Sequence, residues 1–216
     1  MRIAVLGGSF NPLHCGHAML ADTVIKELNY DKVIFVPTNN PPHKKISSGL
    51  SADQRYNLVK NFCEKEGTSH FEVEDCELKR GGVSYTSDTI SFLNEKYKSV
   101  LSEKIGLIMG GEIASEFEKW HESKWISENV NFIIVPRVNS DSVDNKTCKN
   151  LPINHYKGDF NVPFDEKKFG YKCTILSSKI ISVSSTDIRN RISDGRSFRY
   201  LVPDSVFEYI VKNELY

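Results

Sequence analysis

A short segment near the amino terminus combines glycines with two closely spaced histidines. Residues 7–17 read GGSFNPLHCGH, so that His14 and His17 flank Gly16. Glycines let a backbone approach an anion closely, and a helix that begins there presents unpaired N–H groups and a partial positive charge. The segment therefore predicts a phosphate site with imidazole donors. A tight turn with surface histidines is one alternative, and a metal pair drawn from His14, Cys15 and His17 is another.

The segment 7–17 differs from two familiar phosphate-binding loops. It has no Gly-Lys-Ser/Thr to complete a Walker A sequence and no Gly-x-Gly-x-x-Gly dinucleotide fingerprint. No acidic or cysteine partner motif supports the metal pair. The phosphate interpretation therefore depends on the helix terminus and the histidines.

A second segment of this kind lies near the other end of the chain. Residues 182–189 read SVSSTDIR, and the spacing of Ser184 and Asp187 is typical of a helix start. Serines cap helices in many proteins, so an ordinary cap is the alternative. Arg189 favours a polyphosphate site, because its planar guanidinium would face the same anion as the neighbouring hydroxyls and amides.

The elements that must position these residues alternate between apolar runs and amphipathic segments. Strands are predicted at 3–6, 33–36, 71–73, 105–109, 132–135 and 173–176, and helices at 19–28, 51–62, 86–97, 113–125, 186–192 and 206–215. Strands that are apolar throughout and separated by helices indicate an α/β fold, with a Rossmann-like, doubly wound parallel sheet. We expect a single domain over 1–216, with a polar surface excursion at about 139–171.

In a doubly wound sheet, ligands bind beyond the carboxyl ends of the strands. The loops at 7–17, 37–45, 81–87, 110–112 and 177–186 should therefore converge on one crevice.

Composition excludes several classes of protein. Of 216 residues, 39% are hydrophobic and 26% are charged, which is typical of a globular chain rather than a disordered one. Lys and Arg number 28 and so do Asp and Glu, which argues against nucleic-acid or anionic-membrane partners. The apolar runs are too short for a membrane span or a signal peptide, and the five scattered cysteines indicate reduced thiols, so we expect a cytoplasmic protein. The sequence leaves open whether copies associate as a homo-oligomer.

The two loop segments together resemble the nucleotidyltransferase superfamily, which has His-x-Gly-His after its first strand and Ser-Ser-Thr-x-Ile-Arg near its end. The order of motifs is similar to that of nicotinate-nucleotide adenylyltransferases in particular. The matching segments are 7–17, Pro41-Pro42-His43-Lys44, Ser84-Tyr85-Thr86-x-Asp88-Thr89, Gly110-Gly111-Glu112 with Trp120, 184–189 and Tyr200-Leu201-Val202-Pro203. One departure is Glu112, because the family usually has aspartate there.

The resemblance implies transfer of the adenylyl group of ATP to nicotinate mononucleotide, which forms deamido-NAD and pyrophosphate in NAD biosynthesis. It implies Mg²⁺ carried with ATP and no metal site of the protein's own. The implied catalytic residues are His14, His17 and Arg189. The implied ATP-binding residues are Gly7, Gly8, Ser9, Phe10, Gly16, Gly110, Glu112, Ser184, Ser185 and Thr186, and the implied acceptor-binding residues are Asn11, His43, Lys44, Tyr85, Thr86, Trp120 and Arg137.

Other interpretations of these residues stay open. Thr86 could merely cap its helix, Trp120 could be core packing, and the run at 41–45 could be a solvated basic loop. The acceptor could instead be nicotinamide mononucleotide or phosphopantetheine. A protein of another class, a non-catalytic nucleotide-binding module, could use the same fold.

Overall fold

Apolar side chains on both faces of the strands build the centre of the fold. The computed structural model describes residues 1–42, 49–135, 164–178, 180–181 and 183–216. Within them, six strands form one parallel sheet in the order β3-β2-β1-β4-β5-β6. The strands are β1 (Ile3–Gly8), β2 (Lys32–Pro37), β3 (Phe71–Val73), β4 (Ile105–Gly110), β5 (Val130–Val135) and β6 (Cys173–Ile175). This confirms the predicted α/β fold with a doubly wound parallel sheet.

Helices cover the two faces of this sheet. They are α1 (Cys15–Leu28), α2 (Ala52–Lys65), α3 (Cys76–Arg80), α4 (Thr86–Tyr97), α5 (Gly111–Ala114), α6 (Ser123–Asn129), α7 (Glu166–Phe169), α8 (Ser185–Ser193) and α9 (Asp204–Lys212). Along β1, Ala4 and Leu6 face the core under α1, α2, α8 and α9, whereas Ile3 and Val5 face the core under α3 to α7. Alternation along a strand that is buried on both sides produces the two cores.

The strand order reverses beside β1, since the chain runs outward through β2 and β3 and then returns to β4. Crossovers on either side of such a point leave a crevice at the carboxyl ends of the strands. β1 and β4 are therefore the strands whose following loops should hold a ligand.

The segment 113–125 departs from its prediction as one helix. α5 ends at Ala114, a 3-10 turn covers Phe117–Lys119, and α6 begins only at Ser123. Trp120 is extended with ψ 147°, and Glu122 adopts the left-handed region with φ 53°. The prediction was wrong because burial of Phe117 and Ile126 produces a helix-like apolar spacing although the backbone between them turns.

Two further differences concern short helices. α3 was not predicted, since five residues carry too little periodicity to be recognised. The last part of the predicted surface excursion, 164–171, contains α7, whose Phe169 is buried in the core with Phe164 and Tyr171 packed nearby. Phe169 therefore attaches this part to the core, whereas 165–168 and Gly170 are exposed; 139–163 lies outside the described residues. Among the helices described, none combines the length and apolar character that crossing a membrane requires.

Candidate active site

A cleft of about 790 Å³ opens at the carboxyl ends of the strands. The predicted loops converge there, because its walls contain residues from 7–17, 37–42, 84–86, 110–112 and 180–187. Three helices of nine or more residues, α1, α4 and α8, contribute residues of their first turn to these walls. Helix amino termini attract anions, so the cleft is suited to phosphate and carboxylate groups.

The two histidines of the first loop meet at the start of α1. His14 precedes the helix with extended backbone and is 4% exposed. The imidazole rings of His14 and His17 stack with centroids 3.7 Å apart, and the His14 backbone N–H donates to His17 Nδ1 at 3.3 Å. Because His17 Nδ1 accepts this bond, the neutral ring carries its proton on Nε2.

Gly16 brings the start of α1 close to the loop before α8. A Cβ at this position would lie 2.8 Å from the carbonyl oxygen of Ile181 and 3.2 Å from His14 Cε1. A side chain would therefore push the start of α1 away from the loop before α8, which explains why position 16 is glycine.

The start of α8 is attached to the first loop by side chains. Ser184 Oγ accepts the Thr186 N–H at 3.2 Å, which caps the helix. Ser185 Oγ donates to the carbonyl oxygen of Pro12 at 2.9 Å. Arg189 donates from Nη1 to the carbonyl oxygen of Asn11 at 2.8 Å and from Nη2 to Thr186 Oγ1 at 3.2 Å. The guanidinium therefore lies beside the cleft and connects its wall to the loop.

The opposite wall is aromatic. Tyr85 precedes α4, and the ring of His121 stacks on it with centroids 4.2 Å apart. Ser87 Oγ lies 3.3 Å from His121 Nδ1. Trp120 is half-buried against Phe117 and also lines the cleft. A flat ring could be held here next to the α4 amino terminus.

The structure brings many of the predicted site residues together. Those that line the cleft are Gly7, His14, Gly16, His17, Tyr85, Thr86, Gly110, Glu112, Trp120, Ser184 and Thr186. Gly8, Ser9, Phe10, Asn11, Ser185 and Arg189 do not belong to this lining, although Ser185 and Arg189 are bonded to the loop. His43, Lys44 and Arg137 lie outside the described residues.

Two of the residues in the first loop lie behind the cleft. Phe10, in the left-handed region with φ 45°, is 1% exposed and packs on Phe35 with ring centroids 5.7 Å apart. Asn11 is 3% exposed, and its Oδ1 accepts the Leu50 N–H at 3.3 Å. Both side chains are therefore directed to the protein interior.

Sequence reasoning missed two buried charged residues near the cleft. Arg55 is 2% exposed, and its Nη1 donates to the carbonyl oxygen of Ser9 at 2.8 Å. Burial lowers the pKa of Arg55 below its usual range. Glu77 lines the cleft, and its Oε1 accepts from Thr89 Oγ1 at 2.8 Å. A signal existed for Arg55, because it begins the spacing of buried residues in α2 that continues at 58, 59 and 62.

In the part of the chain that the structure describes, no group of three or more His, Cys, Asp or Glu side chains is arranged to hold a metal ion.

Comparison with known proteins agrees with this geometry. The cytidylyltransferase-like family model matches residues 5–191. A Plasmodium falciparum nicotinic acid mononucleotide adenylyltransferase, solved in complex with NaAD, superposes with a TM-score of 0.71 over 99% of this chain and 96% of that one, at 16% identity. Fold and site together define a nucleotidyltransferase.

Two relatives indicate which branch of this family the chain resembles. A protein of Borrelia garinii subsp. bavariensis, named a probable nicotinate-nucleotide adenylyltransferase, is 37% identical over 216 residues, which are 100% of this chain and 95% of the relative. A Treponema pallidum protein of the same name is 35% identical over 217 residues, with 100% and 99% covered. The chain belongs to the cytidylyltransferase-like family and, within it, to the nicotinate-nucleotide adenylyltransferases.

Proposed function

We propose that the protein transfers the adenylyl group of ATP to nicotinate mononucleotide and releases pyrophosphate. The observation that carries the proposal is the close approach of the α1 start to the loop before α8 at Gly16. The same cleft is lined by His14, His17, Ser184 and Thr186. The names of the relatives support the same reaction.

The chemistry needs few residues. The 5′-phosphate of nicotinate mononucleotide has a second pKa of about 6, so the attacking oxygen is ionised at neutral pH and no general base is required. That oxygen forms a bond to the α-phosphorus of ATP, and the bond to the β-phosphate oxygen breaks. Alignment and charge stabilisation are then sufficient for catalysis.

The residues of the cleft divide this work. His17 Nε2–H donates to an α-phosphate oxygen as charge develops, and the stacked His14 ring fixes its orientation. Arg189 uses two of its five N–H donors for Asn11 and Thr186. The other donors serve the β- and γ-phosphates that leave as pyrophosphate.

Mg²⁺ enters with ATP as part of the substrate. A magnesium ion on a nucleotide commonly retains several waters and needs few protein ligands. His14, His17 and Arg189 then supply the protein's own charge stabilisation.

The α4 start favours nicotinate over nicotinamide as acceptor. Tyr85 and Thr86, at this start, line the cleft together with Trp120. The helix terminus stabilises a bound carboxylate more than a neutral amide.

A cytoplasmic location stays a prediction.

The test mixes the purified protein with ATP, Mg²⁺ and nicotinate mononucleotide and measures pyrophosphate and deamido-NAD. Parallel reactions offer nicotinamide mononucleotide or phosphopantetheine. We expect the nicotinate substrate to have the highest kcat/KM, and preference for another acceptor would replace the proposal. ATP binding by calorimetry without pyrophosphate release from any acceptor would identify a non-catalytic module.

A further inference from the structure

A polar contact behind the cleft joins the first loop to a distant part of the chain. Tyr216 Oη donates to Asn11 Oδ1 at 2.8 Å, and the Leu50 N–H donates to the same oxygen at 3.3 Å. Tyr216 as a residue is 37% exposed, but its hydroxyl points inward to an asparagine that is 3% exposed. Burial raises the pKa of Tyr216, so the hydroxyl keeps its proton and acts as a donor.

Close packing surrounds this contact. A Cβ at Gly49 would lie 2.7 Å from Asn11 Oδ1 and 3.1 Å from Tyr216 Cε1. Gly49 has φ 99°, a conformation that glycine adopts readily. The backbone of 49–50 therefore lies directly against the Asn11 amide and the Tyr216 ring, which leaves the amide little room to move.

The backbone of the loop is held at neighbouring points as well. Arg55 binds the carbonyl oxygen of Ser9, Arg189 binds that of Asn11, and Ser185 binds that of Pro12. Arg55 and Arg189 also act electrostatically on Tyr216. The carbonyl groups of Ser9, Asn11 and Pro12 are thus each held by a side chain from a helix.

We propose that Tyr216 is a positioning residue for the phosphate site and acts through Asn11. In this role the Asn11 side chain holds the loop in place and does not bind the acceptor substrate. His14 follows Asn11 by three residues and caps α1, so a displaced Asn11 moves the imidazole pair relative to Thr186 and Arg189. A misplacement of about 1 Å can cost about 100-fold in rate. For catalysis the inference rests on the proposed function.

The test uses Tyr216→Phe, which removes only the hydroxyl, in the wild-type and the Asn11→Ala backgrounds. Tyr200→Phe is the matched control, because Tyr200 is 87% exposed and the substitution leaves the backbone unchanged. We expect Tyr216→Phe to lower kcat about five- to tenfold, which corresponds to the loss of one buried hydrogen bond. Tyr200→Phe should retain the wild-type kcat.

The double mutant separates positioning from general stability. If Tyr216 acts through Asn11, Tyr216→Phe has no further effect on kcat when Asn11 is already alanine. An equal loss of kcat in both backgrounds, or an unchanged kcat in Tyr216→Phe, overturns the proposal. Assays are run at a temperature where thermal melts show every variant fully folded, so that a lower melting temperature alone cannot lower kcat.

A binding measurement keeps this inference distinct from the proposed function. Calorimetry with ATP and Mg²⁺ on the same variants should show a Kd about fivefold higher for Tyr216→Phe and unchanged for Tyr200→Phe. If the wild type releases no pyrophosphate from nicotinate mononucleotide, the proposed function fails, and the ATP affinities still decide the role of Tyr216. Equal ATP affinity of the Tyr216→Phe variant and the wild type would then refute the role.

Discussion

Replacement of Gly16 by alanine should separate the start of α1 from the loop before α8. The added Cβ would lie 2.8 Å from the Ile181 carbonyl oxygen, whereas an ordinary contact begins at 3.4 Å. The backbone atom must therefore retreat by about 0.6 Å, or α1 must shift by a similar distance. The His14 ring, 3.2 Å from the same Cβ, would also be displaced.

The expected energy follows from two opposing effects. Overpacking typically costs about 1–3 kcal/mol, and alanine in a helix gains up to about 1 kcal/mol over glycine. The full alanine gain leaves a net loss of up to about 2 kcal/mol, which should lower the melting temperature by up to about 8 °C in a chain of this length. The shift of the imidazole pair relative to α8 should lower kcat by about 100-fold.

Differential scanning calorimetry and pyrophosphate release measure the two effects. Gly7→Ala is the control for stability, because a Cβ at Gly7 meets nothing within 4 Å. Alanine is favoured over glycine in a strand by about 0.5–1 kcal/mol, so Gly7→Ala should keep or raise the melting temperature. Only melting temperatures are compared with Gly7→Ala, since Gly7 lines the cleft. Wild-type stability and wild-type kcat in Gly16→Ala would refute the reasoning.

Three further outcomes are expected. His17→Ala should lower kcat by about 100-fold or more with an unchanged circular dichroism spectrum, because one transition-state donor is lost. The control is His70→Ala, which removes a ring that contacts the Asp31 carbonyl and should not change kcat. Full activity of His17→Ala would remove His17 from the mechanism. Trp120→Leu should raise the KM for the acceptor about two- to tenfold and leave the KM for ATP unchanged, and equal effects on both would contradict a role in stacking. Burial raises the pKa of Cys63 from 9.0 to about 12, so the thiol ionises more readily in the unfolded chain and the free energy of unfolding falls as pH rises above about 9. Urea unfolding at pH 8 and pH 10 measures this fall, which should be about 1 kcal/mol smaller for Cys63→Ala than for the wild type. Equal falls in both proteins would exclude this thiol as the cause.

Local sequence signals predicted the elements that carry the site. The helix predicted at 51–62 is observed as α2, and Ser51 and Gln54 form both reciprocal hydrogen bonds of a capping box at its start. The helix predicted at 186–192 is observed as Ser185–Ser193. These features depend on neighbours within a few residues, so the order of side chains is sufficient to specify them.

The prediction from sequence failed where the spacing of buried side chains did not correspond to a regular helix. The apolar spacing of 113–125 resembled one helix, although the backbone at Trp120 and Glu122 leaves helical geometry. The contacts of Phe117 with Phe132 and Phe169 form across the sheet face and compensate for the broken helix. No local pattern contains that information.

The sequence by itself determined an α/β sheet, the two helix starts that meet at the cleft and the histidine pair, because glycine spacing, caps and strand periodicity act over short distances. Only the tertiary structure decided which distant side chains contact the first loop from the protein interior. Tyr216 lies 205 positions from Asn11, and Arg55 lies 46 positions from Ser9. The chain must fold before such partners meet, so their roles follow from packing rather than from motif.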